Sequence, residues 1–167
     1  MRQGEIKEGR GGLYTVRDEQ GQEHVLRARG RFRLDGMTPL PGDRVMFSPR
    51  AGEEHGWVEQ ILPRVSLCPR PPVANITIML VVVAEEPAAD WLLVDKLMMY
   101  AGRQGLHAAL IINKTDLDAA GETAQAARRM YAAAGLDVIS VSAGQGTGLG
   151  DLRPRLQGET CCFAGQS

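Results

Sequence analysis

Asn113-Lys114-Thr115-Asp116 follows directly on the apolar run AALII at residues 108–112. An aspartate carboxylate can accept two parallel hydrogen bonds from the N1 and 2-amino groups of guanine, an edge that adenine cannot imitate. The asparagine amide can brace a neighbouring loop, and the lysine stem can lie across a base face. The same four letters also suit a polar turn in which Asp116 or Asp118 caps the next helix. Placement at the end of a buried strand favours guanine.

Two later stretches belong beside it. In SVSAGQGTGLGDL, Ser142, Ala143 and Gly144 follow the run VISV. A small residue there lets a backbone N–H approach the guanine carbonyl oxygen, although Ser-Ala-Gly is also an ordinary loop. At the end of the sequence, Gly165, Gln166 and Ser167 follow TCCFA. They fit the opening of a phosphate loop, Gly-x-x-x-x-Gly-Lys-Ser/Thr, in which backbone N–H groups and a helix N-terminus cradle phosphates. Taken alone, three residues fit the plain end of a domain better.

These residues need a scaffold. From Ile76 the pattern alternates: strand ITIMLVVVA, helix near 89–104, strand HAALIIN, helix near 121–134, strand LDVISVS, helix near 149–156, strand TCCFA. Strands that are apolar on both faces and alternate with helices predict a parallel sheet covered on both sides. Ligands of such sheets bind where the chain leaves the carboxyl ends of the strands. All three polar stretches stand at such ends.

The first part differs. QGEIKEG, GLYTVRD, QEHVLRAR, DRVMFSP and GWVEQIL are short near-alternating runs punctuated by GG, DEQG, PLPGD and AGEEHG. Five strands in so short a span predict a small β-barrel, of either the oligonucleotide-binding (OB) or the SH3-like type. PRPPVAN places three prolines within four positions, which predicts a linker at 69–75 between domains at 1–68 and 76–167.

With 167 residues, 44% hydrophobic, the chain can bury a substantial core. Its longest apolar run, Ile78 to Ala84, is far short of the ~20 residues of a membrane helix, and its polar start has no signal-peptide core. A cytoplasmic protein that makes no use of a membrane is expected. Three cysteines make no disulfide framework, no Cys/His spacing suits zinc, and His24, His55 and His107 stand alone, so no metal site is expected in this chain. The Met/Leu stripe of LLVDKLMMYAG reads as core.

In VLRARGRFRL, Arg27, Arg29, Arg31 and Arg33 recur at period two. On a straight strand all four share one face at ~6 to 7 Å spacing, within reach of successive RNA phosphates, with Phe32 or Tyr14 as a stacking surface. A solvated edge strand protected by charge explains the same pattern equally well. Gly30 would scatter the stripe if it broke the strand.

The order of motifs is distinctive: the guanine motif comes first and the phosphate-loop start comes last. In this the chain resembles the ribosome-small-subunit-dependent GTPase A family of circularly permuted GTPases. The likeness runs through GDRVMF, ILPRVSLCPRPPVAN, LLVDKLMMYAGRQG, NKTDL, VSVSAGQGTGLGDLRPRL and CCFAGQS. The resemblance implies an N-terminal five-stranded OB-type barrel that docks on 16S rRNA of the 30S subunit. It further implies a permuted P-loop GTPase domain and a C-terminal domain holding Zn2+. The implied ligands are GTP or GDP with Mg2+, and the implied role is late 30S maturation by a monomeric enzyme. Asn113, Lys114 and Asp116 would bind guanine, with Ser142 and Ala143 beside it; Gly165, Gln166 and Ser167 would begin the phosphate loop. With the family in view, the arginine stripe is expected to meet RNA.

Two departures stand out. The family continues VAN with Val-Asp, whereas Ile76 and Thr77 follow Asn75 here. Family members also continue past GQS with a GVGKS-like completion. The expectation is therefore an N-terminal portion that ends inside the phosphate loop, contains no catalytic residue, is inactive and poorly soluble alone, and binds guanine nucleotide too weakly to detect at micromolar concentration. The rival expectation is a stand-alone RNA-binding module whose α/β part is only a scaffold.

Overall fold

The computed structural model describes residues 1–30, 32, 36–49, 55–118 and 120–166. The chain divides into two compact units, Met1–Asn75 and Ile76–Ser167.

In the first unit, β1 (Arg2–Arg10), β2 (Leu13–Asp18), β3 (Glu23–Ala28), β4 (Arg44–Ser48) and β5 (Gly56–Ile61) close into a barrel in the order β1-β2-β3-β5-β4. The alternation read from the sequence is realised: Ile6, Val16, Leu26, Val45, Phe47, Val58 and Ile61 point inward and form one core cluster. Closing the ladder leaves few free edges, which is how a small sheet of this kind avoids pairing with other chains. Phe32 joins this buried cluster and is therefore not a surface on which a base could stack.

The proline-rich stretch does more than connect. β6 (Leu67–Pro69) and β7 (Pro72–Ala74) pair antiparallel, with prolines at the ends of the ladder where a missing N–H costs least. Ala74 packs so tightly on the turn before β4 that a Cβ on Gly42 would sit 2.0 Å from its carbonyl oxygen, and Gly42 has φ +84°. Asn75 closes this corner: its side chain accepts from Val65 N–H at 2.9 Å and donates to the Gly42 carbonyl at 2.8 Å.

The second unit holds the parallel sheet β10-β9-β8-β11, formed by β8 (Ile78–Ala84), β9 (His107–Asn113), β10 (Asp137–Ser140) and β11 (Cys161–Gly165). Helices α1 (Trp91–Arg103), α2 (Glu122–Tyr131) and α3 (Leu149–Leu156) link them. One sheet face carries Ile78, Leu80, Ala109, Ile111 and Ile139 against Leu152 of α3. The α1 stripe is only partly core: Val94 and Ala101 are buried, whereas Leu92 and Met99 are exposed. TCCFA also differs from a strand buried on both faces. β11 ends the described sheet order, and Phe163 on it is 62% exposed.

Candidate guanine nucleotide site

Because all four strands run parallel, β9, β10 and β11 deliver their C-terminal ends to one edge of the sheet. Asn113 is the last residue of β9, Ser142 follows β10 by two residues, and Gly165 ends β11. The three polar stretches found in the sequence are thus brought together by topology.

The loops after β9 and β10 are tied to each other. Asn113 Oδ1 accepts the N–H of Lys114 at 2.8 Å and that of Ala143 at 3.1 Å. Thr115 N–H reaches the Val141 carbonyl at 3.2 Å. Ser142 is buried, its N–H bonded to Thr147 O at 2.9 Å, and its hydroxyl donates to Asp116 Oδ1 at 2.5 Å. One oxygen of the exposed Asp116 carboxylate is thereby oriented, and Oδ2 has no partner among the described residues. An acceptor held in this way is suited to a donor pair on a planar ligand edge.

Of the two carboxylates that could cap the next helix, Asp118 is the one that does. Asp118 accepts from the N–H groups of Glu122 at 3.1 Å and Thr123 at 3.0 Å, at the start of α2. Burial alone would raise the Asp118 pKa, but these backbone hydrogen bonds outweigh it and hold the carboxyl below its ordinary value. With Asp118 capping the helix, Asp116 is left for the loop.

Lys114 adopts a left-handed φ of 59°, uncommon for a residue with a side chain. Its ammonium group donates to the Glu86 carbonyl at 2.6 Å, in the segment that follows β8. That segment also reaches the third loop, since Asp90 N–H donates to Gln166 Oε1 at 3.2 Å. Asp90 in turn caps α1 through Leu93 N–H at 3.0 Å. At Gly165 a Cβ would lie 2.2 Å from the Val82 carbonyl, so only glycine fits where β11 turns away beside β8. Ser167 lies outside the described residues. Among the described residues there is no group of three His, Cys, Asp or Glu side chains placed to hold a metal ion.

The RsgA GTPase profile matches residues 61–167, and the RsgA N-terminal domain profile matches residues 3–58. The chain belongs to the RsgA GTPase family. Among curated RsgA relatives, the small ribosomal subunit biogenesis GTPase RsgA of Ruminiclostridium cellulolyticum is 41% identical over 170 residues, covering 100% of this chain and 55% of the relative. The protein of the same name from Bacillus velezensis is 34% identical over 173 residues and is covered to 58%. The chain thus spans little more than half the length of these RsgA relatives. Two solved structures share the fold. YjeQ from Thermotoga maritima superposes with a TM-score of 0.82 at 29% identity, over 99% of this chain and 60% of that one. YloQ, described as a circularly permuted GTPase, gives 0.74 at 30% identity, over 100% and 60%. The closed barrel followed by a domain with a parallel sheet is the architecture shared with that circularly permuted GTPase.

On the barrel, only part of the arginine stripe falls among the described residues. β3 ends at Ala28, and Arg31 and Arg33 lie outside the described residues. Arg29 is bidentate to Glu59, with Nε to Oε2 at 2.6 Å and Nη2 to Oε1 at 2.8 Å, and its guanidinium lies 5.3 Å from the centroid of Trp57. Arg27 has no ion-pair partner among the described residues. His24, which stood alone in the sequence, meets the buried Asp18 at 2.8 Å. The signal was available in the turn DEQGQEH, where Asp18 also accepts from Gln20 and Gln22 N–H.

Proposed function

We propose that the full protein is a cytoplasmic, monomeric GTPase that acts in small ribosomal subunit biogenesis and hydrolyses GTP to GDP and phosphate. The observation that carries this reading is the oriented Asp116 carboxylate, held by Ser142 on a loop that Asn113 braces against Ala143. In this reading Asp116 accepts guanine N1–H and the 2-amino group, Lys114 covers a base face, and Asn113 keeps the Ser142–Ala143 loop in place. Gly165, Gln166 and Ser167 open the phosphate loop. Mg2+ would accompany the triphosphate, and Zn2+ would belong to a further domain of the whole protein. The barrel binds 16S rRNA of the 30S subunit, with Arg27 and Arg29 in described structure and Arg31 and Arg33 on the same segment.

The 167-residue chain itself holds a base but carries no lysine near Gly165 to neutralise a triphosphate. Most of the affinity for GTP comes from multiple charge-assisted phosphate contacts, so this chain is hydrolytically inactive and binds guanine weakly. The test is a titration of isotopically labelled chain with millimolar guanosine and adenosine, followed by amide NMR shifts. Guanosine is expected to move Asn113, Asp116 and Ala143, adenosine to leave them, and Asp116→Asn to abolish the response. Equal shifts with both nucleosides would overturn the assignment. A stand-alone RNA-binding module would instead bind RNA undiminished by Asp116→Asn and ignore both nucleosides.

A further inference from the structure

The second unit carries a groove of about 320 Å³ that none of the guanine-binding residues lines. Its walls include Ala84 at the end of β8, Glu85 in the segment that follows, Trp91 opening α1, and Glu122, Thr123 and Ala126 on the first turns of α2. The small side chains leave room beside the indole. Its ring is fixed by neighbours: Trp91 meets Tyr131 at a centroid distance of 6.4 Å, and the Tyr131 hydroxyl donates to Asp95 at 2.8 Å. Burial and that carboxylate push the phenol pKa up to about 12, so the phenol keeps its proton and its hold on Asp95. An aromatic surface ordered in advance saves the entropy that a ligand would otherwise have to offset.

The carboxylates of the groove are not matched by cations. Glu85 accepts the Thr123 hydroxyl at 2.9 Å and has no ion-pair partner among the described residues, and the exposed Glu122 carboxylate has no partner among them at all. No Lys, Arg or His lines the groove, and residues 76–167 hold seven Lys/Arg against ten Asp/Glu. Such a surface repels nucleic-acid phosphates and attracts cations. Among the described residues no three His, Cys, Asp or Glu side chains converge as metal ligands would, so the cation that fits is larger than a metal ion.

We infer that this groove docks an arginine side chain from a basic segment of a protein partner, with the guanidinium on Trp91 between Glu85 and Glu122. A planar guanidinium suits both parts of the site, because it stacks on indole and forks to a carboxylate. An ammonium is a more strongly hydrated point charge and does neither as well. The wall that holds Glu85 continues into the segment that receives the Lys114 ammonium at the Glu86 carbonyl and Gln166 at Asp90 N–H. A docked partner therefore touches the strut between the loops that follow β9 and β11.

The test uses the whole 167-residue chain carrying Trp57→Phe, which leaves Trp91 as its one tryptophan. It is titrated with end-capped hexa-arginine, with hexa-lysine and with a single-stranded RNA octamer. Anisotropy of labelled probes reports binding, and Trp91 emission with unlabelled probes reports occupancy of the groove. Hexa-arginine is expected to change Trp91 emission and to bind about three times tighter than hexa-lysine. Trp91→Leu, followed by anisotropy, should remove that preference. Should this variant melt early, the exposed Glu122→Gln serves instead: it should weaken hexa-arginine about threefold. Asp137→Asn, in the first residue of β10 at the opposite edge of the parallel sheet, should leave the affinity unchanged. Equal weakening by Glu122→Gln and Asp137→Asn would mean attraction to the acidic surface at large and would overturn the groove. Hexa-arginine that fails to bind, or binds without changing Trp91 emission, would overturn it too. RNA that alters Trp91 emission as strongly as hexa-arginine would overturn the choice of a protein partner.

Discussion

Ser142 donates its hydroxyl hydrogen to Asp116 Oδ1 at 2.5 Å, joining two loops that leave adjacent strands of the sheet. The serine is buried while the carboxylate is exposed, so the scaffold sets the direction of a group that faces solvent. Hydrogen bonds to charged groups contribute about 1.5 to 3 kcal/mol. Ser142→Ala should therefore weaken guanosine binding about tenfold or more in the NMR titration. The backbone bond from residue 142 to Thr147 survives the change, so the melting temperature should move little. A melting temperature that collapses with the substitution would show that Ser142 is structural and leaves Asp116 unguided.

A second relationship predicts stability rather than binding. Asp43 is fully buried and is met by Arg64 at 2.7 and 2.8 Å and by Leu40 N–H at 2.7 Å, while Arg64 also donates to the Thr38 carbonyl at 2.7 Å. Removing one partner of such a pair leaves a charge without compensation in a low-dielectric setting, at a cost of about 3 kcal/mol. Arg64→Ala is expected to lower the urea midpoint of the barrel strongly. Asp43→Asn combined with Arg64→Met should recover much of the loss. A double variant no better than the single one would mean that the pair contributes net stability beyond its own desolvation.

How far the sequence reveals these features depends on chain distance. The strand ends and the motif order follow from local periodicity, so Asn113, Ser142 and Gly165 could be placed on one edge from topology alone. Partners distant in sequence could not. Glu59 lies 30 residues from Arg29, and nothing in VLRARGRFRL shows that one of its charges is neutralised. Asn113 reaches Ala143 across 30 residues, taking an N–H that local reading leaves to the ligand. PRPPVAN was opaque for another reason. Proline is excluded from a continuous sheet but tolerated at the ends of a three-residue ladder, and the two cases look alike in one dimension.

The turn after β2 gives a pH prediction. The hydrogen bond from His24, followed by those from Gln22 and Gln20 N–H, holds the Asp18 carboxyl below its ordinary 3.8, although burial opposes the shift. A carboxyl whose folded-state pKa is depressed adds stability that is fully present above the unfolded-state pKa and is lost as pH falls through the folded one. The barrel should therefore lose stability as pH drops below about 4. Asp18→Asn should be less stable at pH 6 but show a flatter acid limb. Parallel acid limbs for the two proteins in urea unfolding would remove Asp18 as the cause.

The edge of the sheet gives the last prediction. β11 ends the described strand order with its ladder open on one side, and Phe163 on it is 62% exposed. An unpaired edge beside an exposed aromatic is a template for another chain, because the free N–H and C=O groups gain partners and the ring leaves water together. The 167-residue chain is expected to self-associate in a concentration-dependent way in sedimentation velocity. Phe163→Lys should move it toward monomer, since a charge on an edge strand opposes pairing and the ring contributes little to the buried core. The melting temperature should change by no more than a few degrees, in keeping with about 0.5 kcal/mol for an exposed site. Self-association unchanged by Phe163→Lys would place the contact elsewhere, with the exposed Leu92 and Met99 of α1 the next residues to substitute.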